Sequence, residues 1–141
     1  MRVSAKTEYA CLAMLELAVN HDADEPARIR DIADAHGIPP RFLVQILLQL
    51  KVAGLVTSTR GSAGGYQLAR GPEEITLGDV VAVIDGADSE VRTGLRDSTT
   101  VRALRQTWSE IDAAEREMLE GVTLADLVER ARGGVENMYY I

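Results

Sequence analysis

From Ser4 to Asn20 the chain is apolar on almost every side of a helical wheel, through Tyr9, Ala10, Leu12, Ala13, Leu15, Leu17, Ala18 and Val19. A helix of this kind is buried from two directions, and either Ser4 or Thr7 can serve as its N-cap. A polar turn, His21–Pro26, follows. Ala27–Ile29 then reads as a short strand and Arg30–His36 as a short helix closed by Gly37, a natural left-handed cap. Pro39 and Pro40 suit only the first turn of a helix, where their missing N–H groups would be unpaired anyway. A third helix is therefore predicted from about Pro40 to Ala53, stopping at Gly54. Its residues Leu43, Ile46, Leu47 and Leu50 recur at i, i+3, i+4, i+7 and face a core. Arg41, Val44, Gln45 and Leu48 lie on the opposite side.

After Gly54 the period changes to two. Leu55–Arg60 and Tyr66–Arg70 are β-type runs across the glycine-rich Gly61–Gly65, which makes a hairpin. A short helix, a turn with glycine, a polar-faced helix and a hairpin in succession form a winged helix-turn-helix. Thr76, with Asp79 three residues on, opens a helix through Ile84 that Gly86 ends. Ala87–Thr99 is polar and unpatterned. A longer helix is predicted from about Thr100 to Leu119, with Val101, Leu104, Trp108, Ile111 and Met118 on a heptad seam that only Glu115 breaks. A last short helix starts at Thr123, with Asp126 at the capping-box position, carries Leu124 and Leu127, and fades at Gly133-Gly134. No internal repeat is found. The predicted fold is mainly α: a winged helix-turn-helix domain with a two-stranded β-wing (1–86), a loop (87–99), dimerisation helices (100–132) and a tail (133–141).

The 141 residues carry a net charge of −7, which taken whole argues against a nucleic-acid partner. Its distribution reverses that reading. Residues 1–70 hold eight Lys/Arg against seven Asp/Glu, whereas residues 71–141 hold seven against fifteen. No acid occurs between Asp34 and Glu73, a window whose formal charges are Arg41, Lys51, Arg60 and Arg70. The acidity belongs to the second half of the chain.

Other classes drop out. One cysteine, Cys11, excludes an intrachain disulfide and any cysteine-based metal or iron–sulphur site built within one chain, and two histidines are too few for a His-rich zinc site. The apolar run Tyr9–Leu15 is too short to span a membrane and lacks a cleavage signal, so the expected compartment is the cytoplasm, with no membrane partner. No nucleophile–base pair, paired-acid pocket or phosphate loop is evident, and the chain reads as a non-enzyme with no cofactor and no metal.

The candidate chemistry is DNA recognition. Helix side chains reach base edges in the major groove: Arg41 to guanine or a phosphate, Gln45 to adenine, Val44 to a thymine methyl. The bland reading is a solvated helix face. At the hairpin tip, Gly61, Ser62, Gly64 and Gly65 allow a tight turn and close backbone approach to phosphate, and Arg60 is placed to enter a minor groove. No Lys-Ser/Thr and no helix follow, so a nucleotide-binding loop is set aside; an ordinary glycine-rich hairpin stays open. Lys51 or Arg70 would hold phosphates. The Trp108 seam predicts a homodimer, and two-fold symmetry a near-palindromic operator on double-stranded DNA.

Met1–Lys6, Gly54-Leu55-Val56, Arg60-Gly61 through Gly64-Gly65-Tyr66, Ile75-Thr76 with Asp79-Val80-Val81, Trp108 and Thr123–Leu127 together resemble the Rrf-type winged-helix transcriptional regulators, the family of IscR, NsrR and CymR. The resemblance spans nearly the whole chain and implies a dimeric bacterial transcription factor, most simply a repressor. Cluster-binding members place three cysteines between the fourth helix and the Trp of the long helix; residues 87–107 here contain none, so no iron–sulphur cluster is carried over and the clusterless, CymR-like branch fits better. That branch ends in an aromatic-rich peptide closing with Ile, similar to Met138-Tyr139-Tyr140-Ile141. It implies a partner, cysteine synthase, and control of cysteine and sulphur genes; the terminal Ile resembles the one with which serine acetyltransferase enters that enzyme. A free carboxylate behind an apolar anchor suits such capture, while a tail folded on its own domain or across the dimer stays equally open. A module whose main work is docking on such an enzyme is the alternative function. Cys11 reads as a small hydrophobe rather than a redox sensor, and His36 as a helix-end cation or a phosphate contact.

Overall fold

The computed structural model describes residues 2–86 and 93–139, the last five by backbone alone. Within them the chain forms α1 (Ala5–Val19), a 3-10 turn (His21–Ala23), α2 (Ile29–His36), α3 (Pro40–Val52), β1 (Val56–Thr59), β2 (Gly65–Leu68), a second 3-10 turn (Pro72–Glu74), α4 (Leu77–Asp85), α5 (Thr99–Glu120) and α6 (Leu124–Tyr139). The architecture is the mainly helical winged helix-turn-helix expected from the periodicities.

Of the two capping candidates for α1, Ser4 takes the role, its Oγ accepting from the Thr7 N–H at 3.1 Å. Thr7 is itself buried, and its hydroxyl donates to Asp85 Oδ1 at 2.6 Å, tying the start of α1 to the end of α4. The nearly all-round apolarity of α1 is explained by its position: it packs against α3, α4 and α6. Met14, Ile32, Leu43, Ile46, Leu47, Leu50, Ile75, Val80 and Leu124 are fully buried in one cluster around it. Gly37 adopts φ 68° and caps α2 as expected. Thr76 and Asp79 exchange side-chain-to-backbone hydrogen bonds, each 3.0 Å, in a complete capping box. β1 and β2 pair antiparallel, Val56 opposite Leu68 and Thr59 opposite Gly65.

Four details depart from the sequence-based picture. Ala27–Ile29 is not a strand: Ala27 makes a single antiparallel bridge with Tyr66, and Ile29 already begins α2. Ser98 caps α5 by accepting from the Val101 N–H, which brings Ser98 and Thr99 out of the expected loop and into the helix start. α6 does not fade at Gly133-Gly134 but runs to Tyr139. Neither glycine takes a positive φ, and a helical glycine costs only about 1 kcal/mol relative to alanine, too little to stop a helix whose flanks favour it.

The fourth concerns domain organisation. Thr76 and Thr123 form an antiparallel bridge, flanked by Leu77 N–H to Val122 C=O at 2.8 Å and Leu124 N–H to Ile75 C=O at 2.9 Å. Leu124 is fully buried in the same cluster as α1 and α3. The start of α6 thus belongs to the winged-helix core, and α5 leaves from and returns to one body.

Candidate nucleic-acid interface

α3 is divided lengthwise. Leu43, Ile46, Leu47 and Leu50 are fully buried, while Arg41, Val44, Gln45, Leu48 and Lys51 are exposed. The division follows from the 3.6-residue period: with the leucine stripe seated in the core, the remaining positions have only solvent to face. Pro39 and Pro40 lie at its start, as their lost donors require. β1 packs against α3, so the wing is attached directly to the helix that carries Arg41, Val44 and Gln45.

In the wing, Arg60, Gly61, Ser62 and Arg70 are exposed, Gly65 and Tyr66 half-buried, and Gly64 buried. Gly61 has φ 104° and its carbonyl accepts from the Gly64 N–H at 3.0 Å. A Cβ on Gly64 would run into the backbone carbonyl of Thr59, and one on Gly65 into that of Ala27. Tyr66 gives and receives main-chain hydrogen bonds with Ala27, at 2.8 and 2.9 Å. The Gly64 N–H, expected to be open to phosphate, is therefore spent inside the wing. Gly64, Gly65 and Tyr66 shape the hairpin, and the groups its tip leaves open to solvent are those of Arg60, Gly61, Ser62 and Ala63.

Among the described residues, Arg41, Lys51, Arg60 and Arg70 take part in no ion pair, so their charge stays available to phosphates. Periodicity gives no hint of what surrounds Arg41. Its guanidinium lies 5.0 Å from the centroid of the Phe42 ring. That ring in turn meets Tyr9 of α1, centroids 5.8 Å apart and planes tilted by 42°. Phe42 is the chain's one phenylalanine, which is the signal that could have singled it out. His36 is engaged elsewhere, its Nε2 2.8 Å from Glu16 Oε2, and ties the end of α2 to α1.

On α5 the heptad positions Leu104, Trp108, Ile111 and Met118 are 52–76% exposed and Val101 is half-buried. No residue of this helix is fully buried, and its packing within the chain is against α4. For Met138 and Tyr139 only the backbone is described, in the last turn of α6; their side chains, and Tyr140 and Ile141 altogether, lie outside the described residues. No helix among the described residues is long and apolar enough to cross a membrane.

Comparison with known proteins places this geometry. Residues 3–130 match the Rrf2 family, described as iron-dependent transcriptional regulators. The Mycobacterium tuberculosis protein Rv1287, classed among HTH-type transcriptional regulators, is 46% identical over 131 residues, 90% of this chain and 81% of that protein. The HTH-type transcriptional regulator CymR of Bacillus subtilis is 37% identical over the full length of both. Its solved structure, titled as that of the global cysteine regulator, superposes with a TM-score of 0.79, covering 92% of this chain and 98% of that one at 36% identity. The structure of IscR from T. potens gives 0.76 at 33% identity, covering 93% and 88%. These relatives are named as regulators, which leaves the enzyme-docking alternative without support.

An iron–sulphur cluster held by this chain's own cysteines does not fit the donors present. The chain's one thiol, Cys11, is half-buried on α1, and burial, with the nearby charges of Asp85 and Glu8, pushes it up to about 11 from an ordinary 9.0. A cluster needs several thiolates, and residues 87–107 supply none. Among the described residues no three His, Cys, Asp or Glu side chains are grouped for a metal.

Proposed function

This chain belongs to the Rrf2 family and is a DNA-binding transcriptional regulator, and on that premise we propose that it acts in the cytoplasm as a homodimeric repressor on near-palindromic operators. The observation that carries this reading is the lengthwise division of α3. A buried leucine stripe fixes the helix rigidly, and its outer face offers Arg41, Val44 and Gln45 with no acid in the surrounding sequence window. In the groove, Arg41 meets guanine or a phosphate, Gln45 an adenine edge and Val44 a thymine methyl. Arg60 and the exposed backbone of Gly61 and Ser62 engage the adjacent groove and strand, with Lys51 and Arg70 holding phosphates.

The homodimer is supported by α5. An apolar row of Leu104, Trp108, Ile111 and Met118 at heptad spacing, left uncovered by its own chain, suits a two-fold contact with its own copy. Cysteine and sulphur genes are the proposed targets, on the full-length likeness to CymR. Operators recovered by selecting bound fragments from the organism's genome test this, and recovery of unrelated genes overturns the target assignment. Arg60→Ala is expected to weaken operator binding in gel shifts, with about 1–3 kcal/mol of lost discrimination where it meets a base. Unchanged affinity and sequence preference would remove Arg60 from the interface.

A further inference from the structure

We propose that Phe42 is a positioning residue for Arg41, holding the guanidinium over its ring so that it meets the duplex already oriented; this rests on the reading above in which Arg41 contacts DNA. Arg41 stands in the first turn of α3 on an exposed face, and among the described residues no carboxylate pairs with it. A long side chain in that setting samples many rotamers, and freezing them on binding lowers affinity. The Phe42 ring, 5.0 Å away, supplies the missing constraint through attraction between the cation and the ring's negative face.

The ring is held in turn. Tyr9, half-buried against the core on α1, contacts the ring from one side, while the ring itself stays 37% exposed. A guanidinium lying flat over the ring would present its face to Phe42 and keep its edge N–H donors free. Those edge donors are the ones that grip guanine or a phosphate in bidentate fashion. Three side chains, Tyr9, Phe42 and Arg41, thereby link α1 to a DNA-facing fork.

The test is a cycle of Arg41→Ala, Phe42→Leu and their combination, with Phe42→Tyr beside them. Each full-length variant is titrated against a duplex that the unaltered protein selects from a random-sequence pool. Phe42→Leu keeps an apolar side chain and removes the ring; it is expected to weaken binding about threefold to fivefold, the scale of an exposed cation–ring contact. It should also relax the base preference at the same operator position as Arg41→Ala. In the Arg41→Ala background the same change should do almost nothing, and Phe42→Tyr, which keeps the ring, should bind like the unaltered protein. If Arg41→Ala is costly but the two penalties simply add, the positioning role is overturned while the Arg41 contact stands. If Arg41→Ala is silent, both fall.

Discussion

At Gly65 a hydrogen in place of a methyl lets the wing close against the segment before α2, because a Cβ there would strike the Ala27 carbonyl. That carbonyl cannot retreat freely, since it accepts from the Tyr66 N–H. Gly65→Ala is expected to destabilise the fold by about 1–3 kcal/mol, the range for overpacking, and to weaken operator binding with it. A denaturant titration checks this, and an unmoved midpoint would mean that the wing yields. Cys11 gives a pH-dependent counterpart. Its thiol is held protonated in the fold, up to about 11 against an ordinary 9.0, chiefly by burial. Stability from this source is fully present below pH 9 and is lost as pH rises towards 11. The unaltered protein should therefore lose stability relative to Cys11→Ala across that window, with alkylation of the native thiol slow at neutral pH. Residues whose place depends on period alone, Arg41, Val44 and Gln45, are legible in the sequence. Phe42 is not: side chains at i and i+1 do not face each other on a helix, and Tyr9 reaches it from another element.

At the scale of elements, local signals with a backbone mechanism are the readable ones. The Thr76–Asp79 capping box, the Gly37 cap, the two prolines opening α3 and the Leu43–Leu50 stripe each appear in the structure where the sequence places them. What is not readable is set by contacts between distant segments, such as the Ala27–Tyr66 and Thr76–Thr123 bridges, or by marginal energetics, as in α6 continuing through Gly133-Gly134. Thr76→Ala removes the hydroxyl that accepts from the Asp79 N–H. It should cost about 0.5–2 kcal/mol, read as a lowered thermal midpoint. Leu124→Ala is expected to cost more, about 2–5 kcal/mol, because Leu124 is fully buried among α1 and its neighbours. A loss within a few tenths of a kcal/mol would mean that α6 does not help hold the winged-helix core.

For the whole molecule the net charge of −7 divides into two territories. The stretch between Asp34 and Glu73, which contains α3 and the wing, is free of acids, while the second half of the chain carries the excess. Modest positive charge at the interface implies weak, salt-sensitive non-specific affinity, and the proposed homodimer would raise it by placing two copies on one operator. Ile111→Lys places a charge in the centre of the exposed α5 row and is expected to shift the protein to a monomer. The thermal midpoint should fall and lose its dependence on protein concentration, because a stabilising association is removed. Light scattering after gel filtration reads the mass, and a dimer that persists at micromolar concentration would place the two-fold contact elsewhere.

The clasp between Thr76 and Thr123 has a consequence for how such a chain can change. The segment that enters α4 and the one that follows α5 are joined by one short pair of main-chain hydrogen bonds, Leu77 to Val122 and Leu124 to Ile75. α4 and α5 both lie between the two segments that this pair joins. Lengthening a pinned loop is cheap, about 0.6 kcal/mol for each doubling, and the core below has no need to repack. The α5 arm can therefore be rewritten like an interchangeable cartridge, gaining or losing ligands, length or a docking face, while the reading head beneath it stays the same.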